Sequence, residues 1–297
     1  MTEIMLGAGQ FEATFRPDVA MLCASLRFRG DEYVAWPRPL EQFVAGHATA
    51  IPLVHPWANR LAGDSYSVDG ETVSLAGLTL PHDPNGLPMH GNLFGVPFEV
   101  QQANDTRVVA CLDYGAYPEK LRAFPFPHTL TVDARLHPTR GLNVVTRVDP
   151  TSERAVPISF GWHPFVCLPN APRREWELRW PACEHVEVDA RVIPTGRRTA
   201  QAAQREPIAD RTFDDHYALG GDRTFSIAAG AGRDRRTLTL QFDPSYPYAQ
   251  LFVPAEQELV AIEPMTAEID ALGHGTAPIV EAGARFQAAF NVGVATT

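Results

Sequence analysis

Thr129-Leu130-Thr131-Val132-Asp133-Ala134-Arg135-Leu136 and, shortly after it, Leu142-Asn143-Val144-Val145-Thr146-Arg147-Val148 decide the fold. In the first stretch Leu130, Val132, Ala134 and Leu136 alternate with more polar neighbours, and the second is rich in β-branched residues. Successive side chains of a strand point to opposite faces, so this period of two marks half-buried strands; a helix would repeat its apolar residues every three or four. Period-two or β-branched runs recur at residues 176–180, 237–242, 248–253, 258–262 and 285–294, most of them bounded by Pro, Gly, Asp or Asn. These read as strands too.

Outside the runs, 26 Pro and 22 Gly are spread evenly along the 297 residues. Pro removes a backbone donor and clashes inside a helix, and Gly costs entropy there, so long helices are not expected. The two helical candidates, residues 117–123 and 41–48, are too short to alternate with strands as a parallel α/β sheet requires. No fixed-period repeat or low-complexity linker divides the chain. The reading is all-β: one large antiparallel β-sandwich over residues 1–297.

With 45% hydrophobic and 20% charged residues the composition is that of a globular protein, and no apolar run approaches the roughly 20 residues that span a bilayer. Residues 1–18 mix Glu3, Glu12 and Arg16 with short apolar pieces, without a basic then apolar leader, so a soluble, cytoplasmic protein is expected. Cys23, Cys111, Cys167 and Cys183 are widely spaced and read as free thiols. A formal charge of −10 argues against a phosphate-backbone partner, which needs clustered Lys and Arg. The densest basic piece, residues 233–236, is cut by Asp234 and reads as an exposed turn.

Several chemistries lose support at once. There is no GxxxxGK[ST], HExxH or GxSxG motif, and Gly7-Ala8-Gly9 has Glu12 where a dinucleotide fingerprint needs its third glycine. His163, Cys167, Cys183 and His185 match no zinc spacing, so no metal is expected. What remains is a scatter of polar residues in Pro- and aromatic-flanked segments: Arg60, His90, His163, Asp214 and Glu263. In Phe160-Gly161-Trp162-His163-Pro164-Phe165 an imidazole, matched to neutral acid/base work, lies among aromatic residues. In Ile262-Glu263-Pro264-Met265-Thr266 a carboxylate closes an apolar strand, where burial would raise its pKa. Each also has a structural reading, a core histidine for the one and an Arg-paired carboxylate for the other.

Taken together and in order, the segments resemble the aldose 1-epimerase (galactose mutarotase) family along nearly the whole chain. The resemblance begins at Ile51-Pro52-Leu53-Val54-His55-Pro56-Trp57-Ala58-Asn59-Arg60-Leu61 and continues through Pro88-Met89-His90-Gly91 and Gly161-Trp162-His163-Pro164-Phe165. It extends to Phe213-Asp214-Asp215-His216-Tyr217 and Ile262-Glu263-Pro264-Met265-Thr266-Ala267. It implies interconversion of the α and β anomers of a hexose such as galactose or glucose by acid/base ring opening, without metal or cofactor. It also implies Glu263 as base, His163 as acid, His90 beside the reacting centre, and Arg60 and Asp214 as sugar-binding residues. The expected partner is a small sugar, not a nucleic acid or a membrane, and the expected state a monomer or homodimer.

Trp57, Trp162 or Phe165 would supply apolar contact to the sugar ring. Two departures bear on specificity. Glu268 and Asp270 add carboxylates after the Glu263 segment, and Asp214-Asp215 leaves a one-residue ambiguity, resolved toward Asp214 by Tyr217 three places on. The His90 loop lacks an Arg that would bind a sugar phosphate, so a neutral hexose is favoured over a hexose 6-phosphate. A non-catalytic carbohydrate sensor on the same fold is the rival from another class. Activity is expected to follow a bell in pH, with an imidazole titrating between roughly pH 5 and 9.

Overall fold

The computed structural model of the chain describes residues 2–296. Two large sheets dominate it. The nine-stranded sheet runs, in spatial order, Gln204–Pro207, Glu177–Trp180, Thr224–Ala229, Arg236–Phe242, Phe286–Thr296, Gly141–Pro150, His128–His137, Arg107–Asp113 and Glu99–Asn104. The eight-stranded sheet runs Pro194–Gln201, Cys183–Val188, Phe213–Leu219, Tyr248–Val253 and Val260–Met265; the last strand then pairs with both Gly161–Trp162 and Phe165–Val166, and Leu53–Val54 closes the edge. The ladders in both sheets are antiparallel. A four-stranded sheet, Ile4–Ala8, Phe11–Arg16, Leu22–Phe28 and Asp31–Glu32, adds a further layer.

The all-β expectation therefore holds, and the two quoted stretches lie in neighbouring strands paired from His128↔Pro150 to His137↔Gly141. Their apolar faces are buried, as are the facing side chains of the eight-stranded sheet. Trp162 packs on Phe290 with ring centroids 5.5 Å apart and donates its indole N–H to Thr146 Oγ1 at 3.0 Å, which ties one sheet to the other. Trp180 and Phe213 meet edge-on across the same gap. Each such buried aromatic contributes on the order of 2 kcal/mol by removing apolar area from water.

Helices are as short as the Pro and Gly content implies: Pro118–Leu121 falls inside the expected segment 117–123, Leu40–Val44 overlaps the expected 41–48 and starts one residue before it, and Ala271–His274 is a further single turn. The basic piece at 233–236 begins in the exposed 3-10 turn Gly232–Asp234, while Arg236 opens a strand and pairs with Asp31 at 2.7 Å. All four cysteines are free. No helix among the described residues is long and apolar enough to cross a membrane.

Candidate active site

The side of the eight-stranded sheet turned away from the sandwich core carries the polar set. Alternation along each strand sends Trp162, Leu251 and Ile262 into the core and their neighbours His163, Gln250 and Glu263 to the opposite face. These neighbours floor a cleft of about 580 Å³, which Asp214, Phe165 and Phe252 also line. Segments from the first third of the chain cover it: Arg38 and Gly46–Ala48, Asn59–Arg60, and the stretch from Pro81 to His90. All five residues singled out in the sequence, Arg60, His90, His163, Asp214 and Glu263, line this one cleft.

The centre is a direct contact, His163 Nε2 to Glu263 Oε1 at 3.1 Å, with both residues buried. Strand pairing sets it up: Gly161 opposes Met265 and Phe165 opposes Ala261, which leaves His163 beside Glu263 on the same face. The His163 amide donates to Pro52 O at 3.0 Å, and its ring stacks on Phe165 at 4.1 Å. A β-carbon on Gly161 would come within 2.6 Å of Pro264 O, so only glycine permits this approach of the two strands.

Burial pushes Glu263 well above the usual carboxylate range; the charge of Asp214 adds to this and Arg60 partly offsets it. Burial likewise pulls His163 down to about 3. Carboxylic acid with neutral imidazole, and carboxylate with imidazolium, hold the same number of protons. The pair therefore holds zero net charge between its two proton steps, and the acid step lies below the range of a free imidazole. Among the described residues, Glu263 Oε2 and His163 Nδ1 have no hydrogen-bond partner.

His90 packs edge-on against His163, ring centroids 5.2 Å apart, and its Nδ1 accepts the Asn59 N–H at 3.2 Å. The His90 amide donates in return to Asn59 O at 2.9 Å. Both residues have left-handed backbone conformations, with φ of 57° at Asn59 and 60° at His90. Burial, then the charges of His163 and Arg60, hold His90 well below its ordinary value, so it is a neutral ring whose donor is Nε2. Next to it, Arg60 donates through Nε to Asp83 Oδ2 at 2.7 Å and through Nη1 to Asn59 Oδ1 at 2.8 Å, while Nη2 lies 3.9 Å from Asp214 Oδ2. Asp214 accepts from Gln250 Nε2 at 2.6 Å, and burial raises its pKa against the pull of Arg60.

Three readings of the sequence are corrected or sharpened. Trp57 and Trp162 are fully buried in the main core, so the cleft's aromatic faces come from Phe165 and from Phe252, which no motif had flagged. Glu268 and Asp270 do not line the cleft. Glu268 pairs with Arg198 at 2.9 Å, and Asp270 accepts the Ala62 N–H at 3.0 Å, so both serve the surrounding loops. Asp215 faces away and pairs with His185 at 3.0 Å.

Asn59, Asp83 and Gln250 were missed as site residues. Gln250 had a signal, being the one amide in the otherwise apolar run Tyr248–Val253.

Together these features define a class of protein: an antiparallel β-sandwich with a buried imidazole–carboxyl pair on one open sheet face. The aldose 1-epimerase family profile matches residues 24–292, and the chain belongs to that family. Solved structures agree on the fold. A galactose mutarotase-like protein from Clostridium acetobutylicum superposes with a TM-score of 0.85 at 17% identity, covering 99% of this chain and 95% of that one. A GalM/aldose epimerase homologue from C. elegans gives 0.80 at 17% identity, covering 100% and 99%. Galactose 1-epimerase from Lactobacillus acidophilus NCFM gives 0.75 at 11% identity, covering 98% and 92%. No curated protein matches the sequence.

Proposed function

We propose that this protein is an aldose 1-epimerase that interconverts the α and β anomers of a neutral hexose such as galactose or glucose. The observation that carries the reading is the buried His163–Glu263 contact at 3.1 Å, inside a cleft with Arg60, His90 and Asp214 around it. Ring opening needs one proton removed from the anomeric hydroxyl and one delivered to the ring oxygen, and these two groups are built for such an exchange.

In the forward step Glu263, as carboxylate, takes the O1 proton while His163, as imidazolium, gives its proton to O5. The C1–O5 bond breaks and the aldehyde forms. The step ends with a neutral acid and a neutral imidazole, the state that burial favours in both groups, so the site stabilises the open-chain stage. Rotation about C1–C2 presents the other face of the aldehyde. Closure returns the O5 proton to His163 and the Glu263 proton to O1, which restores the starting pair. His90 donates from Nε2 to a sugar oxygen near the reacting centre, and Arg60 and Asp214 orient hydroxyls.

The test is polarimetry of freshly dissolved α-D-glucose and α-D-galactose, with the protein, with a His163→Ala variant, and with buffer alone. Faster equilibration by the parent and not by the variant is the expected result. Sugar binding without acceleration would instead describe a sensor, and acceleration confined to hexose 6-phosphates would change the substrate.

A further inference from the structure

We infer that Asp83 is the positioning residue of this site: it grips Arg60 by the Nε edge, so that the remaining guanidinium nitrogens are aimed at Asp214 and at the sugar. The inference rests on the mutarotase reading above. Asp83 is buried, and its oxygens are already engaged. Oδ2 accepts from Arg60 at 2.7 Å, and Oδ1 accepts from the backbone N–H groups of Asn85 and Leu87 at 2.9 Å each. The loop is closed on the same residue by Asp83 N–H to Leu87 O and Gly86 N–H to Asp83 O, both 2.9 Å. With its acceptors occupied, Asp83 is not a catalytic residue although it borders the cleft.

Its influence spreads through Arg60. The Arg60 backbone bridges to Met89, and Leu61 N–H donates to Pro88 O at 3.0 Å. Arg60 Nη1 also holds Asn59, whose N–H fixes the His90 ring. One carboxylate therefore sets both the sugar-binding guanidinium and, one residue further, the tautomer of His90.

The charge matters as well as the geometry. Arg60 faces Asp83 from the covering loop, Asp214 from Phe213–Leu219, Glu263 from Val260–Met265, and the rings of His90 and His163; Arg38, His47 and His82 complete the titratable and charged groups around the cleft. Without Asp83, the Arg60 charge would be balanced by Asp214 alone. It would then stabilise the Glu263 carboxylate, so the pair would lose its proton at lower pH.

The experiment compares the parent with Asp83→Asn and Asp83→Glu, measuring KM, kcat and the pH dependence of kcat/KM by polarimetry with galactose, and equilibrium galactose binding by calorimetry. Asn keeps an acceptor for the turn but removes the charge; Glu keeps the charge but displaces it. For Asp83→Asn, loss of a charge-assisted hydrogen bond to Arg60 should raise KM about 10-fold or more while kcat falls far less, and the alkaline limb should move to lower pH. Asp83→Glu should raise KM but leave that limb where the parent has it. A purely structural role would lower the melting temperature of both variants alike and leave the limb in place. A folded Asp83→Asn protein with the parent's KM and limb overturns the inference, and so does an Asp83→Glu limb displaced as far as that of Asp83→Asn. If the parent binds galactose without accelerating its mutarotation, the mutarotase reading fails. The Asp83 assignment is then decided by whether the dissociation constant rises about 10-fold in Asp83→Asn.

Discussion

Two carboxylates lie at the same depth in this molecule and are held in opposite states. Asp133, 0% exposed, sits on the nine-stranded sheet with Arg107, Arg135 and Arg147 at 2.9–3.2 Å; burial alone would raise its pKa, yet the guanidiniums of Arg107 and Arg135 hold it far below the usual range. Glu263, 2% exposed, sits on the eight-stranded sheet against the imidazole of His163 at 3.1 Å, and burial pushes it far up. Burial by itself does not mark a site. What separates these two carboxylates is direct contact with a guanidinium, which Asp133 has and which Glu263 replaces with an imidazole.

The largest effect that would sharpen this contrast is on rate. Glu263→Gln should lower mutarotation about 10²- to 10⁴-fold while galactose binding persists, and kcat and Kd from polarimetry and calorimetry check it. Normal turnover would mean that the base lies elsewhere. Next, Asp133→Asn should cost roughly 2 kcal/mol of stability, less than a fully enclosed pair because its guanidiniums reach solvent, with turnover unchanged; urea denaturation measures the loss. A rate loss at constant stability would erase the distinction drawn between the two carboxylates.

The same pair should respond to pH with opposite signs. Asp133 has a depressed folded pKa, so its stabilisation is present above the ordinary 3.8 and is lost as the pH falls toward its own lower value. Glu263 has a raised one, so the folded state loses stability as the pH climbs from the ordinary 4.5 toward its own higher value. Melting temperatures across pH should therefore show Glu263→Gln gaining on the parent above about pH 4.5, and Asp133→Asn approaching the parent in acid. Parallel curves would contradict both assignments.

In the rate profile, the acid limb of kcat/KM should lie below histidine's ordinary 6.5, because burial pulls His163 down to about 3. An acid limb at 6.5 would mean that the imidazole titrates freely. The smallest effect belongs to Asp215→Asn, within about 1 kcal/mol and without loss of rate, since its partner His185 is a half-exposed histidine on the other face. Asp214→Asn, one residue away, should raise KM.

The contrast also explains how far the sequence could be read. Asp133 falls in a polar slot of a regular alternation, so its strand was visible, although two of its three arginine partners, Arg107 and Arg147, lie on neighbouring strands that only pairing reveals. Every residue of Val260–Met265 is buried, because one face meets the core and the other meets the covering loops, and the strand was accordingly placed two residues early. Glu99–Asn104 is exposed throughout, and Pro194–Gln201 is largely so. With no buried face to alternate against, both were missed. The five candidate residues stood out through their flanking motifs and line one cleft, whereas the place of Asp83 and Asn59 beside Arg60 is geometry that no spacing encodes.

The cover of the cleft precedes its floor along the chain. Arg60, Asp83 and His90 lie before the exposed turn at 138–140, and His163, Asp214 and Glu263 lie after it. A product cut short anywhere before residue 263 lacks Glu263, the proposed base. Two pieces divided at that turn would each hold half a site, inert alone. They would share the ten-residue ladder between His128–His137 and Gly141–Pro150 as the seam along which to rejoin, and sugar turnover would report their reunion.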